Sequence, residues 1–148
     1  MTWKPHVTVA AITEKDGKFL MVEEEKDDQM VINQPAGHLE PNETIIEAVI
    51  RETLEETAWR FHPDYLIGVY QWQNTENTSF LRFAFAGNCD AYDSSRALDP
   101  DINQAIWMDI NAIQSDKTRL RSPLVLKCLT DYISGHQYPL ALLSNINL

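Results

Sequence analysis

The chain has 148 residues, of which 44% are hydrophobic and 23% are charged, and its formal net charge is −10 at pH 7. This balance predicts one folded domain spanning residues 1–148 rather than a disordered chain. Because the negative field repels phosphate backbones and anionic lipid headgroups, we expect no nucleic-acid partner and no membrane partner.

The two cysteines, Cys89 and Cys128, show no spacing typical of a metal site or of a disulfide framework. The first residues contain no basic stretch followed by an apolar one, and no apolar run reaches about 18 residues. We therefore expect a cytoplasmic protein, and we expect it to act as a monomer.

The first third of the chain predicts a hairpin followed by a long loop. Residues 6–12 and 18–24 are mostly apolar and flank a turn-rich stretch, so they predict a β-hairpin. Residues 27–42 contain Pro35, Gly37 and Pro41 and predict a long loop.

A helix is predicted over residues 43–57, with Asn42 as its N-cap, because aliphatic side chains recur there at helical spacing. These side chains are Ile45, Ile46, Val49, Ile50 and Leu54. The outer face of the helix carries three glutamates, Glu52, Glu55 and Glu56. Their like charges repel at this spacing, and a bound cation, a neighbouring arginine or simple hydration would offset the repulsion.

The second half of the chain predicts a second hairpin, one more strand and a final helix. The hairpin is predicted over 65–73 and 79–87, the strand over 105–110, and the helix over 122–135 with Ser122 as N-cap and Gly135 as its stop. Strands with helices on both sides predict an α/β fold, an α/β/α sandwich with a mixed β-sheet.

The predicted loop and first helix contain a spaced motif. Gly37 is followed after five residues by Glu43, after seven more by Arg51 and Glu52, and after two more by Glu55 and Glu56. This spacing matches the Nudix box, G-x5-E-x7-R-E-U-x-E-E-x-G-U, and the chain resembles the Nudix hydrolase family. Two positions depart from the pattern: Thr53 replaces an aliphatic residue, and Ala58 replaces the last glycine. We therefore expect the helix to end differently or to run slightly further.

The grouping of three glutamates on one helix also has a chemical explanation that is independent of the resemblance. Mg²⁺ prefers oxygen ligands and keeps waters and substrate phosphates around it, which suits a few carboxylates on one helix. Glu52 and Glu56 stand one turn apart and can share an ion, with Glu55 beside them. The resemblance implies Mg²⁺, or Mn²⁺ in its place, held by these three glutamates and by the backbone carbonyl of Ala36. It also implies that Arg51 orients the glutamates by ion pairing.

The resemblance implies hydrolysis of a phosphoanhydride bond in a small phosphorylated substrate. Catalytic roles then fall to Glu52, Glu55 and Arg51, with Glu52 as the expected general base. Since the base of some family members is an acid from a later loop, Asp101 is a second candidate and Asp99 its alternative. An ordinary polar loop residue is the other interpretation of that acid.

Four side chains outside the motif are candidates for substrate binding: His6, Trp72, Arg82 and Arg121. Arg82 interrupts an apolar strand, so it either pairs with a carboxylate or faces a substrate phosphate. Trp72 either stacks on a planar base or belongs to the core or sheet surface. Arg121 either holds an anion together with the amides of the final helix or pairs with a surface acid. His6 either contacts substrate or is a hydrogen-bonded histidine at a strand end.

Four segments outside and around the motif narrow the resemblance: "KPHVTVA", "NQPAGHLEPNET", "FLRFAF" and "LRSPLVLKCLTDYISGHQYPL". They are similar to a bacterial phosphatase branch of the family. Its members release orthophosphate from nucleoside tri- and diphosphates, from hydroxymethylpyrimidine pyrophosphate and from thiamine pyrophosphate. The alternatives are a nucleotide-pool or nucleoside-diphosphate-X pyrophosphohydrolase that cuts an internal phosphoanhydride, and a non-catalytic nucleotide-binding module.

Overall fold

The computed structural model describes residues 2–148. In this part of the chain the strands are β1 (His6–Ile12), β2 (Glu14–Lys15), β3 (Lys18–Lys26), β4 (Gln29–Asn33), β5 (Ala36–His38), β6 (Arg60–Gln73), β7 (Ser79–Asp90) and β8 (Ile102–Met108). The helices are α1 (Ile45–Thr57), α2 (Ile110–Ser115) and α3 (Leu124–Ile133), with short 3₁₀ turns at Lys117–Arg119 and Leu140–Leu142. Over residues 2–148 we find no helix with the length and apolar character that a membrane crossing requires.

The strands form two sheets of four strands. The first has the order β5-β1-β7-β6 and is mixed, since β1 and β7 run parallel while the outer pairs are antiparallel. In the second sheet β3 lies in the centre and pairs with β2, β4 and β8. The predicted α/β fold with a mixed sheet is therefore confirmed.

The helices cover opposite faces of the first sheet because β1 alternates its side chains between two cores. Val9 and Ala11 of β1 pack with Ala48 and Val49 of α1. Ile12 of β1 joins the other core, which includes three residues of α3: Val125, Cys128 and Leu129. Successive strand residues point to opposite faces, so one buried strand serves both layers.

The predicted hairpin of residues 6–12 with 18–24 is wrong. β1 pairs with β5 and β7, and β3 pairs with β4 and β8, so the two strands belong to different sheets. The five consecutive buried residues of β1, 8–12, are typical of a central strand covered on both faces. The hairpin over 65–73 and 79–87 is confirmed, as the longer pair β6 and β7.

The predicted loop of residues 27–42 is wrong in part, because it contains β4 and β5. The turn between β3 and β4 has positive φ at Asp27 (51°) and Asp28 (62°). A two-residue hairpin turn of type I′ has positive φ at both central positions and is usually signalled by Asn-Gly or Asp-Gly, a signal that the Asp-Asp pair lacks. α2 was not predicted either.

Helix α1 begins two residues later than predicted, and its N-cap is Thr44 rather than Asn42. The Thr44 hydroxyl accepts the Glu47 N–H at 3.0 Å, and the Glu47 carboxylate accepts the Thr44 N–H at 2.9 Å, which is a capping box. At the other end Ala58 adopts a left-handed φ of 63° and donates its N–H to the Leu54 carbonyl at 2.9 Å. The alanine therefore takes the conformation that glycine usually supplies, and the expected change at this end is not seen.

The last strand and the last helix are found close to their predicted places. β8 begins at Ile102, earlier than predicted, and α3 is shorter than the predicted 122–135. The N-cap of α3 is Pro123 rather than the predicted Ser122, although the Ser122 hydroxyl accepts the Leu124 N–H at 3.1 Å and so satisfies a free amide at the start of the helix.

Candidate functional site

Strand β5 brings backbone polar groups to the edge of the first sheet, next to α1. The Leu39 N–H donates to the Val7 carbonyl and the Ala11 N–H donates to the Pro35 carbonyl. Since antiparallel ladders alternate, Ala36 lies at a position whose N–H and C=O point away from β1. Its N–H donates to Glu56 Oε1 at 2.9 Å. The Ala36 carbonyl therefore points out of the sheet on the side where Glu56 lies.

Gly37 is required by the position of Glu52. A Cβ built on Gly37 would lie 2.1 Å from Cδ of Glu52 and 2.3 Å from both of its carboxylate oxygens. The carboxylate thus packs directly on the glycine backbone, in space that any side chain would fill. The first position of the motif and its first helical glutamate are parts of one contact.

Three acids are clustered at this edge: Glu52 and Glu56 of α1, and Asp99 from the loop before β8. Carboxylate oxygens of the three all lie within 4.8 Å of one another. Burial raises the pKa of Glu56 to about 9, and the charges of Glu24, Glu52 and Asp99 add to that effect. Burial also raises the pKa of Glu52 to about 7, although Arg51 opposes the change.

The cluster fits a divalent cation by its chemistry. It offers three hard oxygen donors, and burial also raises the pKa of Asp99. Buried carboxylates that repel one another gain stability from a cation between them. Glu52, Glu56 and Asp99 are therefore the residues that would hold a metal ion here.

Arg51 ties the other acids of the motif together. Its Nε donates to Glu43 at 2.6 Å, and its Nη1 donates to Glu52 at 2.9 Å and to Glu55 at 2.7 Å. Its Nη2 donates to the His38 carbonyl at 3.0 Å, which fixes α1 against β5. The hydrogen bonds from Arg51 lower the pKa of Glu43. Arg51 thus orients Glu52 while leaving its second oxygen free for the cluster.

The structure does not bring every predicted ligand into the cluster. Glu55 points its carboxylate towards Arg51 and is not one of the three grouped acids. Of the two later acids, Asp99 belongs to the group, whereas Asp101, the first candidate from the sequence, lies on the wall of the cleft. The Asp99 N–H donates to the Glu55 carbonyl at 3.0 Å, which holds this loop against the end of α1.

The cluster opens into a cleft of about 470 Å³ between the two sheets. Sheet register explains which side chains form its floor. Thr8 of β1 pairs with His38 of β5 and with Arg82 of β7, so the three lie in one row across the sheet. All three line the cleft.

Arg82 is buried in this row, with 5% of its surface exposed. Nη1 donates to Gln34 Oε1 at 3.0 Å and Nη2 donates to Asn33 Oδ1 at 3.1 Å. Among residues 2–148 no carboxylate lies within 4.0 Å of its nitrogens, and Nε has no acceptor. The carboxylate partner that the sequence left open is not found, and a buried arginine with only neutral partners faces the cleft.

An aromatic row lies two residues further along the same strands, about 7 Å from the first row. Phe80 of β7 pairs with His6 of β1 and with Trp72 of β6. The rings of Trp72 and Phe80 stack, with centroids 5.4 Å apart and planes inclined by 25°. Trp72 and Phe80 line the cleft. His6 is not among the lining residues; it packs against Phe80 and His38, with both ring centroids at 5.3 Å.

Arg121 is paired with an acid, as one interpretation of the sequence predicted, although that acid is buried rather than at the surface. It donates to Glu24 Oε1 at 2.8 Å, and its side chain lines the cleft together with Ser122. Its partner Glu24, on strand β3 of the second sheet, is buried and also lines the cleft. Arg121 therefore presents a cation that is already paired.

Sequence reasoning missed several residues that line or support the cleft, and four of them lie close together in the chain: Glu24, Lys26, Asn33 and Gln34. They lie on β3, on β4 or just after it, in the region where the strand pairing was not recognised. The available signal was the polar pair Asn33-Gln34 at the end of an apolar strand, since polar groups are buried only with partners.

The NUDIX domain family model matches residues 2–127. Phosphatase NudJ of Escherichia coli strain K12 is 41% identical over 145 residues, which cover 98% of this chain and 94% of that protein. A solved NUDIX hydrolase from Nitrosomonas europaea is 46% identical, with a TM-score of 0.95 over 97% of this chain and 98% of that one. The MutT protein from Methanosarcina mazei Go1 is 20% identical, and its TM-score of 0.71 over 93% of this chain and all of that one (100%) shows a shared fold.

These matches confirm the resemblance, the fold and the enzyme class that the motif implied. Members of the family hydrolyse phosphoanhydride bonds of small phosphorylated substrates and generally use divalent metals, and the acidic cluster suits such an ion. On the family match and the near-full-length similarity, this chain belongs to the Nudix hydrolase family.

Proposed function

We propose that this chain is a Mg²⁺-dependent phosphatase that releases orthophosphate from the end of a short phosphate chain. Its substrates are nucleoside tri- and diphosphates, hydroxymethylpyrimidine pyrophosphate and thiamine pyrophosphate. One observation supports this most: the same cleft holds an acidic cluster and a buried Arg82 without a carboxylate partner. Such a pair of opposite charges suits a metal-bound polyphosphate. The similarity to phosphatase NudJ of Escherichia coli supports the terminal cut.

Glu52, Glu56 and Asp99 would hold the metal, with the Ala36 carbonyl beside them and Glu55 one turn away. Mg²⁺, or Mn²⁺ in its place, supplies charge neutralisation at the reacting phosphate and acidifies a bound water. Arg51 acts as a positioning residue, because it holds Glu52 and Glu55 by hydrogen bonds at 2.9 and 2.7 Å.

Glu52 accepts the proton of the attacking water in this proposal. The water oxygen bonds to the terminal phosphorus, the bond from that phosphorus to the bridging oxygen breaks, and the shortened phosphate leaves with the electron pair. Asp99 lies in the same cluster and is the other acid within reach. Asp101, further along the wall, is the weaker candidate on geometry.

Substrate binding is assigned along the floor of the cleft. Arg82 binds a phosphate that is not transferred, and Arg121 adds a second cation at the start of α3. Trp72 stacks on the planar organic group, with Phe80 behind it at 5.4 Å. His6 supports this wall by packing on Phe80 and His38 rather than by reaching the cleft.

We also propose that the protein is a single domain and acts as a cytoplasmic monomer. Cys89 and Cys128 are both free thiols, which is usual in a reducing compartment.

The test is orthophosphate release in Mg²⁺ from ATP, ADP and hydroxymethylpyrimidine pyrophosphate, each with and without added inorganic pyrophosphatase. We expect release without the coupling enzyme, from the diphosphates as well as from ATP. Release from ATP only with the coupling enzyme would show internal cleavage to pyrophosphate. No release in either arm would favour a nucleotide-binding module.

A further inference from the structure

Arg82 is held by two neutral acceptors, the side-chain oxygens of Asn33 and Gln34, which we call the amide clamp. Gln34 accepts from Nη1 at 3.0 Å, and Asn33 accepts from Nη2 at 3.1 Å. The other end of each amide is also occupied, since Gln34 Nε2 donates to the Val125 carbonyl at 2.8 Å and Asn33 Nδ2 donates to Glu24 at 3.4 Å. These outer bonds turn both amide oxygens towards the guanidinium.

The acids around the clamp have other cationic partners. Glu24 accepts from Arg121 at 2.8 Å, and Asp131 accepts from Lys127 at 2.9 Å. The Cys128 thiol lies 3.9 Å from Nη1, and burial raises the pKa of that thiol. A neutral thiol and two amides orient Arg82 without cancelling its charge.

The guanidinium also retains unused hydrogen-bond donors. It has five N–H groups, and those of Nη1 are directed to Gln34 and Cys128. One of the two on Nη2 is directed to Asn33, and the N–H of Nε has no acceptor. Burial of an uncompensated cation is costly, and an anion in the cleft would repay that cost.

We propose that Asn33 and Gln34 are positioning residues that keep Arg82 a fixed, un-neutralised cation for one oxygen of a substrate phosphate. The proposal uses only the anion-binding part of the function proposed above. A carboxylate in place of either amide would retain the shape of the clamp and form an ion pair with Arg82. Arg82 would then no longer attract the substrate anion. The clamp therefore sets the preference of the cleft for highly charged phosphate ligands.

The experiment compares Gln34→Glu and Asn33→Asp with the wild type. The probe is methylenediphosphonate, a pyrophosphate analogue whose P–C–P bridge resists hydrolysis, and its Kd is measured by calorimetry in Mg²⁺. Gln71→Glu is the matched control, because it adds the same charge at an exposed position of β6. We expect each clamp variant to raise Kd at least about tenfold and the control to leave it unchanged. For a turned-over substrate, KM rises in the same proportion while kcat changes little.

Gln34→Glu also loses the hydrogen bond to the Val125 carbonyl, and this loss can impair folding of the variant. Asn33→Asp exchanges the 3.4 Å bond to Glu24 for a carboxylate beside that acid, and Arg82 and Arg121 are the cations that offset the repulsion. This variant decides the question if the first one does not fold. A folded carboxylate variant with wild-type Kd would overturn the proposal. So would Gln34→Met, which adds no charge, if it weakened binding as much as Gln34→Glu. Because the probe is not hydrolysed, either result is independent of whether the enzyme releases orthophosphate.

Discussion

Gly37 and Glu52 are in contact so close that no side chain fits between them. A Cβ at position 37 would lie 2.1 Å from the carboxyl carbon of Glu52. Real Cβ atoms essentially never come within 3.0 Å of another group, so one of the two must move.

Gly37→Ala is therefore expected to displace the Glu52 carboxylate from the acidic cluster. We expect metal affinity and kcat/KM to fall by about 10–100-fold, which is the usual range when the support of a metal ligand is lost. The backbone at position 37 does not have a positive φ, so the fold itself is expected to persist. Calorimetric titration with Mn²⁺, together with a thermal melt, checks both statements. Wild-type metal affinity in a folded Gly37→Ala variant would contradict the contact.

Glu56→Gln is expected to abolish metal-dependent turnover and to leave the fold intact. In the metal-free protein burial raises the pKa of Glu56 from 4.5 in the unfolded reference to about 9. The folded state then binds a proton that the unfolded state releases, so stability falls as the pH rises from about 4.5 to about 9. Glu56→Gln removes this contribution. Urea denaturation in a chelator across that pH range measures it, with exposed Glu76→Gln as the control.

Arg82→Ala is expected to raise KM for phosphorylated substrates at least about tenfold, since it removes a charged contact to substrate. Loss of stability should be the smaller effect, because the variant also removes a buried charge without a carboxylate partner. Arg82→Met fills more of the space and separates the cost of a cavity from the loss of charge. If both variants unfold at ordinary temperature, or fold with an unchanged KM, Arg82 is structural.

Trp72→Ala is expected to weaken binding of substrates with a planar organic group by about 5–150-fold, the usual contribution of one stacked base. Affinity for methylenediphosphonate, which has no ring, should not change. Trp3→Ala is the control, because Trp3 is 70% exposed and does not line the cleft. Equal losses for ring-bearing and ring-free ligands would show that Trp72 acts only by shaping the sheet.

Ala58→Gly is expected to stabilise the protein by about 0.5–1 kcal/mol without changing activity. Ala58 has a φ of 63°, which glycine adopts without steric cost. For a chain of this size the gain corresponds to a rise in Tm of about 1–4 °C. Differential scanning calorimetry measures it. A fall in Tm would mean that the alanine methyl group contributes more by its burial than its backbone strain costs.

The helix of the motif could be predicted from the sequence, because aliphatic spacing, capping residues and fixed glutamates are all local. The strands that pair with β1 could not be predicted from the sequence. Its pairing with β7 joins residues some 70 positions apart and depends on which face each strand buries. The same holds within the site. Glu52 and Glu56 could be grouped by helical geometry, whereas choosing Asp99 over Asp101 required knowing how its loop is hydrogen-bonded to Glu55.

The short stretch from Asn33 to His38 links the two halves of the cleft. It carries the amides that hold Arg82, the Ala36 N–H that binds Glu56, and the His38 carbonyl that binds Arg51. An inserted or deleted residue there would shift the anion subsite and the acidic cluster together. Engineering of a new substrate preference would therefore have to keep this stretch at constant length. Variation is better directed to β6, where Trp72 stacks on Phe80 and takes no part in the hydrogen bonds that hold either half.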